Sequence, residues 1–103
     1  MHNSQKLRGA IGLAKKAGKC IAGDFAVTKA LKEGRKPLVV LDSGVSEATR
    51  QRYSLLCTRK GISLLEIPDV GLAIGKPGCK IAAVEDKRFE QLIIDAAAKN
   101  SLE

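Results

Sequence analysis

Leu7, Ala10, Ile11, Ala14 and Ala17 recur at helical spacing, with Arg8, Lys15 and Lys16 off that stripe. The pattern predicts an amphipathic first helix, and Gly18 is its stop. A short extended piece, Cys20 to Ala22, follows. Gly23-Asp24 opens a second helix whose buried stripe is Val27, Ala30 and Leu31, and Gly34 and Pro37 end it. Leu38-Val39-Val40-Leu41 is a continuous apolar run, the mark of a strand covered on both faces. Ser43-Gly44 turns the chain. Ser46 is placed to cap a third helix in which Tyr53, Leu56 and Cys57 face inward, and Gly61 stops it. Ile62 to Ile67 reads as a strand, Val70 to Ile74 as a short helix ended by Gly75, and Lys80 to Glu85 as the last strand. Asp86 caps a final helix with Phe89, Leu92, Ile93 and Ala96 on its inner stripe, and Asn100 to Glu103 are expected to fray. Helices and strands alternate throughout. The expected fold is therefore α/β: a single-domain, three-layer α/β/α sandwich with a mixed sheet of about four strands.

A chain of 103 residues has room for one domain, and its 45% hydrophobic content suits a folded globule. The core must be aliphatic, because Tyr53, Phe25 and Phe89 are the only aromatic residues. That scarcity excludes RNA modules that stack bases on several exposed rings. Cys20, Cys57 and Cys79 are odd in number and lack the spacing of a zinc site, and the single histidine is His2. They read as small core or loop residues, and no metal or cofactor is expected. Met1 to Leu7 is polar, and no stretch approaches the roughly 20 apolar residues of a membrane span. A cytoplasmic protein without membrane contact is the expectation.

Charge changes the picture. Residues 1–36 hold Lys6, Arg8, Lys15, Lys16, Lys19, Lys29, Lys32, Arg35 and Lys36 against only Asp24 and Glu33, and so carry the whole formal net charge of +7. Solubility alone needs no such segregation. The expectation is a field of one sign on one side of the molecule, suited to a polyanion such as RNA.

The second helix concentrates this chemistry. Phe25, Lys29, Lys32 and Lys36 fall at steps of four, three and four, on the face away from Val27, Ala30 and Leu31. Its N-terminus offers unpaired N–H groups and a positive dipole end, with Asp24 as a competing cap. Phe25 either folds back onto the first helix or offers its ring to a base. Catalytic constellations are missing from the sequence. Gly71 to Lys76 has three residues between its glycines where a phosphate loop has four, and Pro77 follows the lysine. One terminal histidine builds no Ser–His–acid set. The chain reads as a non-enzyme with no small-molecule substrate.

In order and spacing the segments resemble the kink-turn RNA-binding superfamily of ribosomal and ribonucleoprotein proteins, most closely its small bacterial ribosome-associated branch. The resemblance covers about residues 5 to 99. It rests on Leu13-Ala-Lys-Lys-Ala-Gly-Lys19, Gly23 with Lys29, the strand Leu38 to Leu41, the helix containing Leu56-Cys57, Gly71-x-Ala73-x-Gly75 and the strand Lys80 to Val84. It implies an α/β/α sandwich with a four-stranded sheet that binds a sharply bent RNA duplex with tandem sheared G·A pairs. The recognition helix then enters the widened major groove, and a loop before the last strand covers an extruded nucleotide. Carried over, the RNA-binding set is Lys19, Gly23, Asp24, Phe25, Lys29, Lys32 and Lys36, with Lys76, Pro77, Gly78, Cys79 and Lys80 in the covering loop. The partners implied are structured RNA of kink-turn or ribosomal type and the ribosome. One departure stands out. The family's Asn-Glu pair, which reads the guanines, is replaced by Phe25 and Ala26, and neither side chain makes those hydrogen bonds.

Two other readings fit the same residues. One is a protein–protein adaptor on the same fold. The other is a substrate-RNA recognition module like those attached to some RNA methyltransferases.

Overall fold

The structure, a computed structural model, describes residues 4–102, and side chains for residues 5–98. Its elements are α1 (Ser4–Lys16), β1 (Cys20–Ala22), α2 (Asp24–Lys32), β2 (Leu38–Asp42), α3 (Glu47–Lys60), β3 (Leu64–Ile67), α4 (Val70–Ile74), β4 (Ile81–Val84) and α5 (Lys87–Leu102). The strands form one sheet in the order β1-β4-β2-β3. β2 and β3 are parallel, and β4 runs antiparallel to β1 and β2. The sheet is mixed and lies between two helical layers.

Period-two alternation assigns the layers. On one face Leu38, Val40, Ala82 and Val84 pack under α1, α4 and α5, with Leu7, Ile11, Ala14, Ile74 and Ile93 filling the space. On the other face Val39, Leu41, Ile81 and Ala83 pack against Val27 and Leu31 of α2 and Tyr53 and Cys57 of α3. β2 and β4 are the inner strands, and both are apolar on both faces. That explains the uninterrupted run from Leu38 to Leu41.

Local signals account for most boundaries. The Ser46 side chain accepts from Thr49 N at 3.1 Å and so starts α3. Gly61 and Gly75 end α3 and α4 in the left-handed conformation. Asp86 Oδ1 accepts from Arg88 N at 2.9 Å at the head of α5. α4 is capped from a distance, because Val70 N donates to Asp42 Oδ1 at 2.9 Å.

Two expectations need correction. Leu92, assigned to the inner stripe of α5, is 47% exposed, because α5 packs mainly along Ile93. α5 runs on to Leu102, past the expected fraying point at Asn100; His2 and Glu103 lie outside the described residues. The basic residues of the first two helices are also divided between the two layers. β1 is an edge strand, and the chain changes face as it passes from α1 through β1 to α2. Lys6, Arg8, Lys15 and Lys16 therefore ride in one outer layer, and Lys29 and Lys32 in the other.

Pairing also fixes what shares an end of the sheet. Ala22 faces Ala82, Leu41 faces Ile81, and Asp42 faces Ile67. The exits of β1, β2 and β3 thus meet the entry of β4. The start of α2, the turn after β2, the start of α4 and the 75–80 loop cluster there.

Candidate nucleic-acid interface

Gly23 begins the site. Its φ of 98° and ψ of 150° lie in a region open mainly to glycine. Its N–H donates to Ile81 O at 2.8 Å, which fastens the entry of α2 to the exit of the 75–80 loop. No side chain caps α2. The first-turn N–H groups and the positive end of the helix dipole are left beside that loop.

Asp24 does not cap. Its Oδ1 accepts from Tyr53 Oη at 2.5 Å and Thr28 Oγ1 at 3.1 Å, and its Oδ2 from Arg52 Nη2 at 2.9 Å. The Tyr53 hydroxyl, followed by the Arg52 guanidinium, holds the Asp24 carboxyl below its ordinary value. Burial first, and the Asp24 hydrogen bond second, push the Tyr53 phenol up to about 12. The Arg52 guanidinium also lies over the Tyr53 ring, 4.8 Å from its centroid. Asp24 therefore locks the first turn of α2 onto α3.

Phe25 is 84% exposed. Of its two expected placements, packing back on the first helix is the one the structure rejects. Lys29 and Lys32 continue along the same solvent-facing side, and Lys29 Nζ lies 3.8 Å from Glu33 Oε2. Lys36 does not join them. Helical geometry ends at Lys32, so the four-residue step from Lys32 places nothing on that face. Arg35 is engaged internally, through two bonds to Glu85 (2.7 and 2.6 Å) and one to Glu33 (2.9 Å). This clamp fixes the far end of α2 to the residue after β4.

The 75–80 loop folds tightly on α4. A Cβ at Gly71 would meet Lys76 O at 2.7 Å and Cys79 O at 3.1 Å, so only glycine allows this approach. Lys76 N donates to Gly71 O at 2.9 Å, and Cys79 N to Lys76 O at 3.0 Å. Lys76, Pro77, Gly78 and Lys80 are exposed, and Cys79 is half-buried with its thiol donating to Ile81 O at 3.3 Å. Lys80 Nζ donates to Gly44 O at 3.2 Å, so the loop also touches the turn after β2.

The fold thus gathers Gly23, Phe25, Lys76, Pro77, Gly78, Cys79 and Lys80 around one end of the sheet, with Lys29 and Lys32 following in the last turn of α2. It separates Lys19 and Lys36 from them. Lys19 O accepts from Glu85 N at 2.8 Å, which puts it at the opposite end of β1 and β4, and Lys36 lies before the start of β2. Sequence reasoning missed Arg52 and the Asp42–Gly44 turn. Arg52 carries no local signal, since its partner is 28 residues away. The turn was visible, but its role depends on strand pairing.

No group of three or more possible metal ligands occurs among the described residues, and no described helix is long and apolar enough to cross a membrane.

Comparison with known proteins agrees with the fold. The model of the Ribosomal protein L7Ae/L30e/S12e/Gadd45 family matches residues 5–94. The RNA-binding protein YlxQ of Bacillus subtilis (strain 168) is 28% identical over 87 residues, covering 82% of this chain and 87% of YlxQ. A Bacillus halodurans protein of unknown function superimposes with a TM-score of 0.79 at 26% identity, over 88% of this chain and 95% of that one. The Giardia lamblia 15.5kD RNA binding protein superimposes with a TM-score of 0.75 over 96% of this chain and 88% of its own; at 15% identity that likeness speaks for the fold alone.

Proposed function

The chain belongs to the Ribosomal protein L7Ae/L30e/S12e/Gadd45 family, and on that premise we propose that it is a single-domain, non-catalytic binder of structured RNA of the kink-turn type, ribosomal RNA included. Its site is the end of the sheet where α2 begins. Phosphates bind along Lys29 and Lys32 and at the first-turn N–H groups of α2, where the dipole favours negative charge. Gly23 lets the RNA backbone approach closely. Lys76, Pro77, Gly78, Cys79 and Lys80 cover an extruded nucleotide. Phe25 stacks on a base, which contributes about 1–3 kcal/mol. Asp24 acts at second hand by holding the first turn, and Lys19 and Lys36 reach only RNA that continues past the far end of α2. A cytoplasmic location at or near the ribosome fits this role.

One observation carries the proposal: the Gly23 N to Ile81 O bond sets an uncapped helix start against a basic loop. The charge of α1 does not support it, since α1 lies in the other layer. The local set of Lys29, Lys32, Lys76 and Lys80 does, and two of these come from the part of the chain whose charges cancel.

The test is the salt dependence of affinity for a kink-turn RNA, beside a plain duplex of equal length. Log affinity should fall steeply with log salt, and Lys29→Ala should lower the slope by about one unit. Phe25→Asn with Ala26→Glu should sharpen the preference for the kink-turn, since base-edge hydrogen bonds carry discrimination. A slope near zero removes RNA as the partner. Strong native discrimination that the double variant leaves unchanged removes Phe25 and Ala26 from the specificity argument. The adaptor reading gains no specific support at this end of the sheet, where Lys76 and Lys80 are exposed beside Phe25.

A further inference from the structure

The outer layer of α1, α4 and α5 exposes three leucines beside a closed core: Leu13 (54%), Leu72 (69%) and Leu92 (47%). They line two depressions flanking α1. One, of about 560 Å³, lies between α1 and α5 and is walled by Lys6, Gly9, Ala10, Leu13, Leu92 and Ala96. The other, of about 310 Å³, lies between α1 and α4, where Arg8, Lys16 and Leu72 join Gly9 and Leu13. Because Gly9 and Leu13 border both, the depressions meet over the crest of α1. A Cβ at Gly9 would have nothing within 4 Å, so no contact inside the chain requires glycine there. An exposed helical glycine costs stability relative to alanine.

We propose that this strip is a docking groove for an amphipathic helix of a partner protein, one whose apolar anchors are flanked by Asp and Glu. The floor is aliphatic and follows two packed helices, the shape in which a helix seats anchors spaced at i, i+4 and i+7. The rim decides the partner's charge. Lys6, Arg8 and Lys16 border the strip, and no ion pair among the described residues engages them. An acidic flank would complement all three. A second copy of this chain would bring a net charge of +7 and the same basic rim against it. RNA would meet aliphatic side chains with no ring to stack on. Most of the groove lies across the sheet from α2, and only its Leu72 edge on α4 adjoins the 75–80 loop.

The probe is a synthetic 14-residue helical peptide with leucines at i, i+4 and i+7 and glutamates flanking them; a second peptide replaces each Glu with Lys. Each is titrated into the full chain with amide shifts followed by NMR. The acidic peptide should move Gly9, Leu13, Leu72 and Leu92 and leave Gly23 to Lys29 in place, and the Lys peptide should bind at least tenfold more weakly. Gly9→Leu should weaken the acidic peptide at least tenfold by filling the groove. That variant should melt no lower than the native chain, since the site has open space, and should keep its affinity for kink-turn RNA. No shift at millimolar peptide, equal binding of the two peptides, or equal binding by Gly9→Leu overturns the proposal. So does a concentration-dependent dimer that buries Leu13, or kink-turn RNA that shifts the same residues.

Discussion

Asp24 occupies the position where a helix cap is expected, yet its three acceptor bonds run to Tyr53, Arg52 and Thr28. The reason is the neighbour across the layer. Tyr53 is fully buried as a residue, and its hydroxyl needs an acceptor. The Asp24 carboxyl is held below its ordinary value of 3.8, chiefly by Tyr53, so the pair stabilises the fold above that pH and the contribution fades as pH falls through the lowered value. The Tyr53 phenol is raised from 10.0 to about 12, so its contribution is complete below pH 10 and fades as pH climbs towards 12. Tyr53→Phe should therefore cost about 1–2 kcal/mol near pH 7 by urea unfolding, with the gap from the native protein narrowing below pH 4. An unchanged midpoint at pH 7 would show that the network does not hold α2. Nothing in the sequence around Asp24 signals Tyr53 as its partner, 29 residues on. The sequence does mark Tyr53 as inward-facing.

Elements were the most legible scale. The four-residue run of β2, the Ser46 cap and the glycine stops of α3 and α4 are local signals, and the fold uses them as read. The errors fall at a helix's end and at the margin of a helix's stripe. Lys36 fits the spacing of the basic stripe but not the helix, which Gly34 and Pro37 mark as ended before it and which the structure ends at Lys32. Leu92 lies on the margin of the apolar stripe of α5, whose packed residues are Phe89, Ile93, Ala96 and Ala97. α4 and the loop after it form one unit through Gly71. Gly71→Ala should push the loop off α4, since its Cβ would lie 2.7 Å from Lys76 O. The expected cost is about 1–3 kcal/mol, with amide shifts concentrated at Lys76 to Lys80 and a weaker grip on kink-turn RNA. A fully native loop and unchanged affinity would mean that the loop takes no part in binding.

At the scale of the whole molecule, charge order along the chain does not become charge order in space. α1 and α2 are consecutive helices, but the edge strand between them sends them to opposite faces of the sheet. What survives is local: one sheet end where an uncapped helix, an exposed Phe25 and a basic loop meet. The α/β/α class followed from the alternation of elements. The pairing β1-β4-β2-β3, which makes that end, depends on contacts between residues far apart in the chain. The most direct test of the account is to titrate a kink-turn RNA into isotope-labelled full chain at moderate salt and map the amide shifts. The account predicts the largest changes at Gly23 to Lys29 and Lys76 to Lys80, with the outer faces of α1 and α5 still. Changes centred on Arg8 to Lys16, or none at saturating RNA, would contradict it.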